Sequence, residues 1–459
     1  MSTLLPSRRT AIARAACGAI ALLFALTACG APADSEGANA ETAKPVEAGA
    51  ELVRVPADAP TIGKALKAVA SGGLVLVSPG TYTESVTIDK PDVTLRGLDR
   101  NEVIIDGEGL RANGVQVIAD GVRVENLTVR NHTFNGVLVT GMHDENGAQA
   151  HNLTGYDTLD PEKYPPLQRF AVNHVTASNN GLYGIYAFNS QHGTITSNYA
   201  SGSADSGIYV GQCANCDILV SDNVAENNAI GYENANASDS VVVASNRFSN
   251  NRVGLTLISW YLEAYLPQKS AIVVGNVISD NNSPLSPAQA SGAFGIGIGL
   301  SGAQSNVIKR NLISGNSVAG VQLANTEDLA AADNQLLDNA LGGNGVDVAD
   351  VSAARTPSSG TCVSPATAVS IAPLALSSSF ATACGSDVAP PSGWIPGTLP
   401  TVVPPAGISF LQVAPGRPQP QLAGALDVIP DPLPAFITMP AHSFIVLPDA
   451  GMLTDRTRF

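Results

Sequence analysis

The chain is poor in charge, in aromatic rings and in soft metal ligands. Charged residues make up 14% of its 459 positions and aromatic residues 5%. Basic residues are the scarcer sign, with 24 Lys and Arg against 39 Asp and Glu and a net charge of −15. Phosphates and anionic lipid headgroups are bound through Lys and Arg, so this balance argues against nucleic acid or an anionic bilayer surface as a partner. It suits solubility outside the cell, or recruitment of a cation. Four Met and six scattered His are a poor basis for a soft copper site. The 44% hydrophobic content excludes a disordered chain. What is plentiful is glycine, at 44 residues, with much Asn and Ser through the middle. That composition fits many short strands joined by tight turns.

At the N-terminus, Arg8, Arg9 and Arg14 precede an apolar and small-residue run from Ala16 to Ala28. The run is too short for a convincing membrane span and has the layout of an export signal. It ends in Leu26-Thr27-Ala28-Cys29, which resembles the lipobox of bacterial lipoproteins. That resemblance implies cleavage before Cys29 and diacylglycerol on its sulfur, holding the protein to a membrane through lipid and facing it away from the cytoplasm. An ordinary secretory signal is the alternative, and Ser7-Arg8-Arg9 hints weakly at a twin-arginine signal. Loss of residues 1–28 removes those three arginines and no acid, taking the net charge from −15 to −18. Cys213, Cys216, Cys362 and Cys384 remain, an even number that suggests disulfides in an oxidising compartment. Cys362 with Cys384 would close a modest loop. Cys213-Ala-Asn-Cys216 admits three readings: a turn disulfide, a redox pair or half a metal site. No second such pair or His pair completes a zinc site, so no metal is assigned.

Five segments follow from composition: a signal at 1–28, a flexible tether at 29–50, a repeat region at 51–352, a Ser/Ala-rich stretch at 353–390 with the Cys362/Cys384 pair, and a Pro-rich tail at 391–459. The tail is expected to lie along the repeats or shield their C-terminal end, with a disordered stalk as the alternative. A short amphipathic helix is expected over Thr61–Ala70, then strands at Leu74–Val77, Val86–Ile88, Val93–Leu95 and Val103–Ile105. An Asn-x4-Asn pattern then recurs at Asn126/Asn131, Asn223/Asn228, Asn246/Asn251, Asn276/Asn281, Asn311/Asn316 and Asn334/Asn339. Each copy precedes a Gly-apolar-x-apolar strand, at Gly114, Gly136, Gly184, Gly207, Gly231, Gly254, Gly295, Gly320 and Gly345. Uninterrupted intervals are 22 to 25 residues; those after Gly136 and Gly254 are 48 and 41, about one repeat plus an insertion.

Repeats of this length are coils of a solenoid. Ile185, Ala187, Ile208, Val210, Leu255, Leu257, Ile296, Ile298, Val321 and Leu323 would stack inward. Each Asn would turn a corner in the left-handed region and bond the Asn of the neighbouring coil. The segment from Pro60-Thr-Ile-Gly-Lys-Ala-Leu-Lys-Ala-Val through Leu-Val-Leu-Val-Ser-Pro-Gly-Thr-Tyr to Val-Thr-Leu-Arg-Gly resembles the opening of pectate-lyase-like proteins. The Asn and Gly-Ile repeats resemble those of alginate epimerase-like and NosD-like proteins. The resemblance covers about residues 51–350. It implies an all-β fold: a right-handed parallel β-helix with a short N-terminal capping helix, followed here by the Pro-rich tail.

Function is less legible. The insertions at about Gly141–Phe170 and Ser259–Ser270 leave the same corner, four coils or about 19 Å apart, which reads as two walls of a groove. The first carries His143, Asp144, Glu145, His151, Tyr156, Asp157, Tyr164 and Arg169. The second carries Trp260, Tyr261, Glu263, Tyr265 and Lys269. Alternation makes the floor Leu138, Tyr186, Tyr209, Glu233, Thr256, Gly297, Gln322 and Asp347. Tyr186, Tyr209, Trp260 and Tyr261 are the candidate substrate-binding residues, because sugar rings pack on aromatic faces. Glu233, His192 and Arg252 are the candidate catalytic residues, the types that acid/base work on a uronic acid requires. The expected partner is acidic polysaccharide, recognised with or without cleavage or epimerisation by a lyase or epimerase-like activity. A non-catalytic scaffold or metal-maturation lipoprotein and an adhesin are the alternatives. The characteristic motifs of alginate epimerases, polygalacturonases and pectate lyases are missing. Calcium is the cofactor such a resemblance admits, yet its aspartates are not evident. The single unit Gly342-Gly-Asn-Gly-Val-Asp347 cannot build a stacked calcium site, and Gly297-x-Gly299-x-x-Gly302 lacks the helix of a dinucleotide fingerprint.

Overall fold

In the computed structural model of the chain, the residues described are 47–145, 147–148, 159–365, 369–377, 384 and 393–458. The expected export signal, Cys29 and most of the expected tether lie outside them, as do His151, Tyr156 and Asp157. No helix among the described residues is long and apolar enough to cross a membrane.

Short strands wind into a right-handed parallel β-helix with three rows. One middle coil shows the plan: Ile218–Ser221 lies in the first row, Val224–Glu226 in the second and Ile230–Ser238 in the third. Each pairs in parallel with its counterpart one coil on, Val241–Ala244, Arg247–Ser249 and Val253–Ile258. In Val122–Arg130 and Leu167–Ser178 the first two rows run together as one long bent strand. The bends fall at Asn126 and His174, with φ of 57° and 52°. Helix Ile62–Ala68 caps the N-terminal end, buries Ile62, Ala65 and Leu66, and is N-capped by Thr61. Glu84 accepts from the Ile62 and Gly63 N–H groups, satisfying donors that the first turn leaves unpaired.

The asparagines hold the coils together, and the geometry refines what the repeat suggested. Oδ1 of Asn251 accepts from the backbone and side-chain nitrogens of Asn228 at 3.0 and 3.1 Å. Its own nitrogens bond Asn281, and so on along the stack. In the first copy Asn126 and Asn131 are themselves left-handed, with φ of 57° and 59°, but in the later coils that conformation belongs to the residue before the ladder Asn. Asp222, Ser245, Arg310 and Asp338 have φ of 56°, 58°, 49° and 53°, leaving each Asn side chain free to reach across coils. The glycine that opens each third-row strand follows from the ladder. A Cβ on Gly231 would stand 2.5 Å from the Gly254 carbonyl and 2.8 Å from Asn251 Nδ2, so only glycine lets the Asn lie flat there.

The later coils run out of step with the sequence pattern. Gly297, not Gly295, stacks on Gly254. Ile298 and Leu300 therefore point inward, whereas Ile296 faces out beside Val253 and Ala319. The outward column reads Tyr186, Tyr209, Glu233, Thr256, Gly299, Gln322 and Ala349, with Gly299 and Ala349 in place of the expected Gly297 and Asp347. Asn334 and Asn339 bond Asn306 and Asn311, so this pair sits one corner earlier than Asn311/Asn316. Residues 280–295 form a further insertion between the second and third rows that the interval count merged with the loop after Ile258. Strands also continue past residue 352, at Cys362–Ser364 and Ile371–Ala372.

The Pro-rich segment is an ordered strap within the same compact unit as the coils. It covers the last coil, where Gly397 N–H donates to the Asp350 carbonyl and Trp394 Nε1 to Ser352. It then runs back over the coils, clasped by guanidinium groups. Arg252 donates to the Pro405 carbonyl, Arg100 to Pro420, Arg96 to Leu426 and Val428, Arg123 to Asp431, and Arg310 to Ser443 and Ile445. Near its end Arg456 is buried against the Asp222, Ser197 and Asn198 carbonyls. Proline leaves backbone carbonyls without internal partners, and the arginines take them up. A disordered stalk is excluded for residues 393–458.

Candidate functional site

Strands Ser206–Ala214 and Ile230–Ser238 are nine residues long, and near the end of each a loop-binding side chain stands on backbone in the left-handed region. Gln212 and Asn236 have φ of 48° and 43°. Asn236 Nδ2 donates to the carbonyls of Trp260 and Glu263 at 2.7 and 2.9 Å, and its Oδ1 accepts the Trp260 N–H. Gln212 accepts the Ala264 N–H and donates to Met142 Sδ at 3.2 Å, touching both inserted loops at once. The walls of the expected groove therefore meet over its floor.

The expected open aromatic platform is corrected by this closure. Tyr186 and Tyr209 are 0% and 1% exposed. They pack with Tyr183, Phe188, Leu138, Met142 and Leu159 in a second apolar cluster outside the solenoid core. The Tyr183 and Tyr186 rings stack at 4.3 Å, and Tyr209 sits 4.9 and 4.8 Å from them. Alternation gave their direction correctly but not what covers them. Trp260 and Tyr261 remain 41% exposed at the loop tip, where the Tyr261 hydroxyl bonds Asp328.

Three carboxyl groups gather under and beside this loop. The Tyr209 hydroxyl donates to Glu263 Oε1 at 2.6 Å, and Ser206 Oγ donates to Glu233 Oε2 at 2.6 Å. Asp205 is hydrogen-bonded to Ser206 and Tyr183. Burial pushes Glu263 up to about 8 against the opposing Tyr209 bond. Glu233 is raised as well, by burial first and then by the Asp205 charge, and Asp205 by burial. Glu233 and Asp205 keep a partial opening to solvent, and the column continues over the half-exposed Thr256, Gly299 and Gln322.

The expected catalytic constellation of Glu233, His192 and Arg252 is not assembled. His192 opens a first-row strand segment, bonds Asp217 through Nδ1 at 2.8 Å and meets the edge of Phe436 from the strap. Arg252 lies at the corner before the third row, tied to Ser286 and the Pro405 carbonyl. Corner residues here serve the strap rather than the floor. Asp205 and Glu263 are the acids that accompany Glu233 instead. Ser206, Gln212, Asn236 and Tyr183 were not singled out by the repeat frame; polar Gln212 and Asn236 just beyond the apolar strand positions were the available signal. Cys213 and Cys216 are bonded to each other, as are Cys362 and Cys384. The first pair is buried, out of reach of an exchanging thiol. Two cavities, of about 460 Å³ beside Trp394 and about 190 Å³ beneath Pro415–Pro418, lie away from this face.

Loop closure should depend on pH. Burial holds Glu263 near 8 in the closed loop; lifted into water it would return to its ordinary 4.5, so the closed state would hold a proton that an open state loses between those values. The stabilisation of closure is complete below about 4.5 and declines as pH rises through about 8. Chymotryptic cleavage at Trp260, Tyr261 and Leu262 is expected to be faster at pH 9 than at pH 6, after correction for the protease's own profile. Glu263→Gln should abolish the difference; equal cleavage of the wild-type loop at both values would contradict the assignment.

Solved structures with which the chain is similar include a pectate lyase, at 14% identity, covering 55% of this chain and 69% of that one, with a TM-score of 0.37. The A-module of an Azotobacter vinelandii mannuronan C-5 epimerase is 15% identical, covering 64% and 91%, with a TM-score of 0.37. A periplasmic alginate epimerase variant is 14% identical, covering 70% and 84%, with a TM-score of 0.33. No curated protein matches the chain. The sequence profile of the NosD family, described as periplasmic copper-binding protein, matches residues 92–263 and 170–356, more than half of the chain, and the chain belongs to that family.

Proposed function

We propose that this is an exported β-helix protein that recognises acidic polysaccharide along its third row, beside the Trp260 loop. The observation that carries the reading is the placement of Glu233 and Asp205 on a partly open strip, both raised above the ordinary carboxylate range. Of the two, Glu233, raised to about 8, keeps its proton near neutral pH and can donate a hydrogen bond to a uronate, which an ionised group would repel, whereas Asp205, raised to about 6, has lost its proton there. Glu233 can also act as a general acid or base, which is what lyase or epimerase turnover would ask of it. The periplasmic description of the family supports an exported location.

Copper is the metal the family description implies. Among the described residues no group of three or more His, Cys, Asp and Glu could hold a metal ion. The four cysteines outside the expected signal and lipid positions form disulfides, and Met142 Sδ is taken by Gln212. The described residues do not fit a copper centre, and no step is drawn through one. Family membership itself favours a second reading, a non-catalytic scaffold. A stable protein partner in a membrane pull-down, together with no glycan binding, would select it.

If Glu233 is an acid or base in turnover, Glu233→Gln should retain glycan binding while the rate of new unsaturated ends or of C5 inversion falls by roughly 10²–10⁴-fold. A variant as active as the wild type would remove Glu233 from that role.

A further inference from the structure

We infer that the niche beneath the second inserted loop is a carboxyl subsite for a uronic acid residue, occupied in the closed state by Glu263 as a built-in stand-in that substrate displaces. The inference rests on the polysaccharide reading above and adds to it the ligand group and the gate.

The loop is firmly rooted and loosely tipped. At its roots, Ser259 Oγ donates to the Gly302 carbonyl and accepts the Gln268 N–H, while Gln268 bonds Asn306 of the corner ladder. Between the roots, Trp260, Tyr261 and Leu262 are exposed. They contribute little burial to hold the loop down. The loop backbone is pinned from below by Asn236 and Gln212, and Glu263 turns its carboxyl group inward beside them, only 6% exposed and bonded to Tyr209. As a structural peg this is a poor choice, because burying an acid opposes closure. One oxygen accepts from Tyr209, but Oε2 is buried without a hydrogen-bond partner. Glutamine or leucine at 263 would fill the same space without the burden of an ionisable group.

As a stand-in the same carboxyl makes chemical sense. A phenol hydroxyl directed at a carboxyl oxygen, flanked by the faces and edges of three tyrosine rings, is an arrangement that would receive a sugar acid: the rings take the C–H faces and the hydroxyl takes the carboxylate. Glu233, which faces Glu263 from the next coil, would be uncovered together with Tyr209 when the loop lifts. The aromatic floor is then a cryptic part of the binding face, which reconciles buried tyrosines with a glycan-binding row.

The test uses the full chain with tetragalacturonate and tetramannuronate as probes and cellotetraose as the neutral control, titrated by calorimetry at pH 7. Glu263→Ala should bind at least one uronate tenfold or more tightly than the wild type, with cellotetraose unchanged. Equal affinity in the two proteins would overturn the stand-in. Weaker binding by the variant would do so too, making Glu263 part of the site rather than its occupant. If neither protein binds a uronate, the polysaccharide reading itself fails, which is a different result. A wild-type measurement covers the case in which the variant does not fold. With a saturating uronate, the amides of Trp260, Glu263 and Ala264, bonded in the closed loop to Asn236, Trp260 and Gln212, should exchange hydrogen faster. Slower exchange would show the loop closing on the ligand and would overturn displacement.

Discussion

A chain ended at residue 390 is expected to lose most of its solubility and to melt well below the full-length protein. The strap is held by the coils and in turn closes them. Met439 and Ile445 pack over Val242, Ala244 and Val274, which are outward-facing first-row residues and almost fully buried only because the strap is there. Re-exposing the two valines alone costs roughly 3–6 kcal/mol. Arg100, at 0% exposure, would lose its bond to the Pro420 carbonyl and its cover. The Tyr199–Glu226 pair would lose the Arg458 N–H that shares Glu226 Oε1. The last coil would expose its Ile371–Ala372 edge to pairing with other chains. Thermal melting and sedimentation of the two proteins side by side check this. A truncated chain that stays monomeric with an unchanged midpoint would reduce the strap to a decoration.

Asn251→Ala should cost about 2–6 kcal/mol, far more than a substitution of similar size at the surface. The side chain is 0% exposed and serves three coils. Its loss strands the Asn228 backbone N–H, which it accepts, and the Ala225 carbonyl, to which it donates at 2.9 Å, while the Asn228 side-chain amide keeps the Ala200 and Glu226 carbonyls. Each buried group left unpaired costs roughly 1–3 kcal/mol, and no water can replace the amide without opening the corner. Urea denaturation gives the shift directly. The double substitution of Asn228 and Asn251 should cost less than the two singles added, because the singles strand each other's partners. A single substitution costing under about 1 kcal/mol would mean the ladder fills space rather than binding coils together.

These ladders are also why the fold was legible. A corner that must place one amide against the next coil recurs at the coil period, and Gly231 recurs because the amide lies against it. Composition and spacing therefore carry the architecture directly. Legibility weakened where an insertion met the pattern: after residues 280–295 both Gly295 and Gly297 satisfy the local motif, and only stacking on Gly254 chooses between them. The site was less legible still. Alternation fixed that Tyr186, Tyr209 and Glu233 point away from the core, and it also named Glu263 as a loop residue. It could not show that Gln212 and Asn236 draw the loop across two coils, burying the tyrosines and bringing Glu263 to Tyr209. His192 and Arg252 were misplaced for a related reason. The sequence shows no sign that Pro405 and Phe436, from the distant Pro-rich segment, lie over those corners.

The most direct test of the central claim is equilibrium titration of the full-length wild-type protein with uronic-acid polysaccharides and with neutral polysaccharides of matched length, read alongside the same titration of Glu233→Ala. Saturable binding of a uronic-acid polymer, weakened about tenfold or more by the substitution and absent for neutral polymers, is the result the acid strip predicts. Binding that ignores Glu233, or no binding to any polymer, would contradict it and leave the scaffold reading of a NosD-family protein in its place.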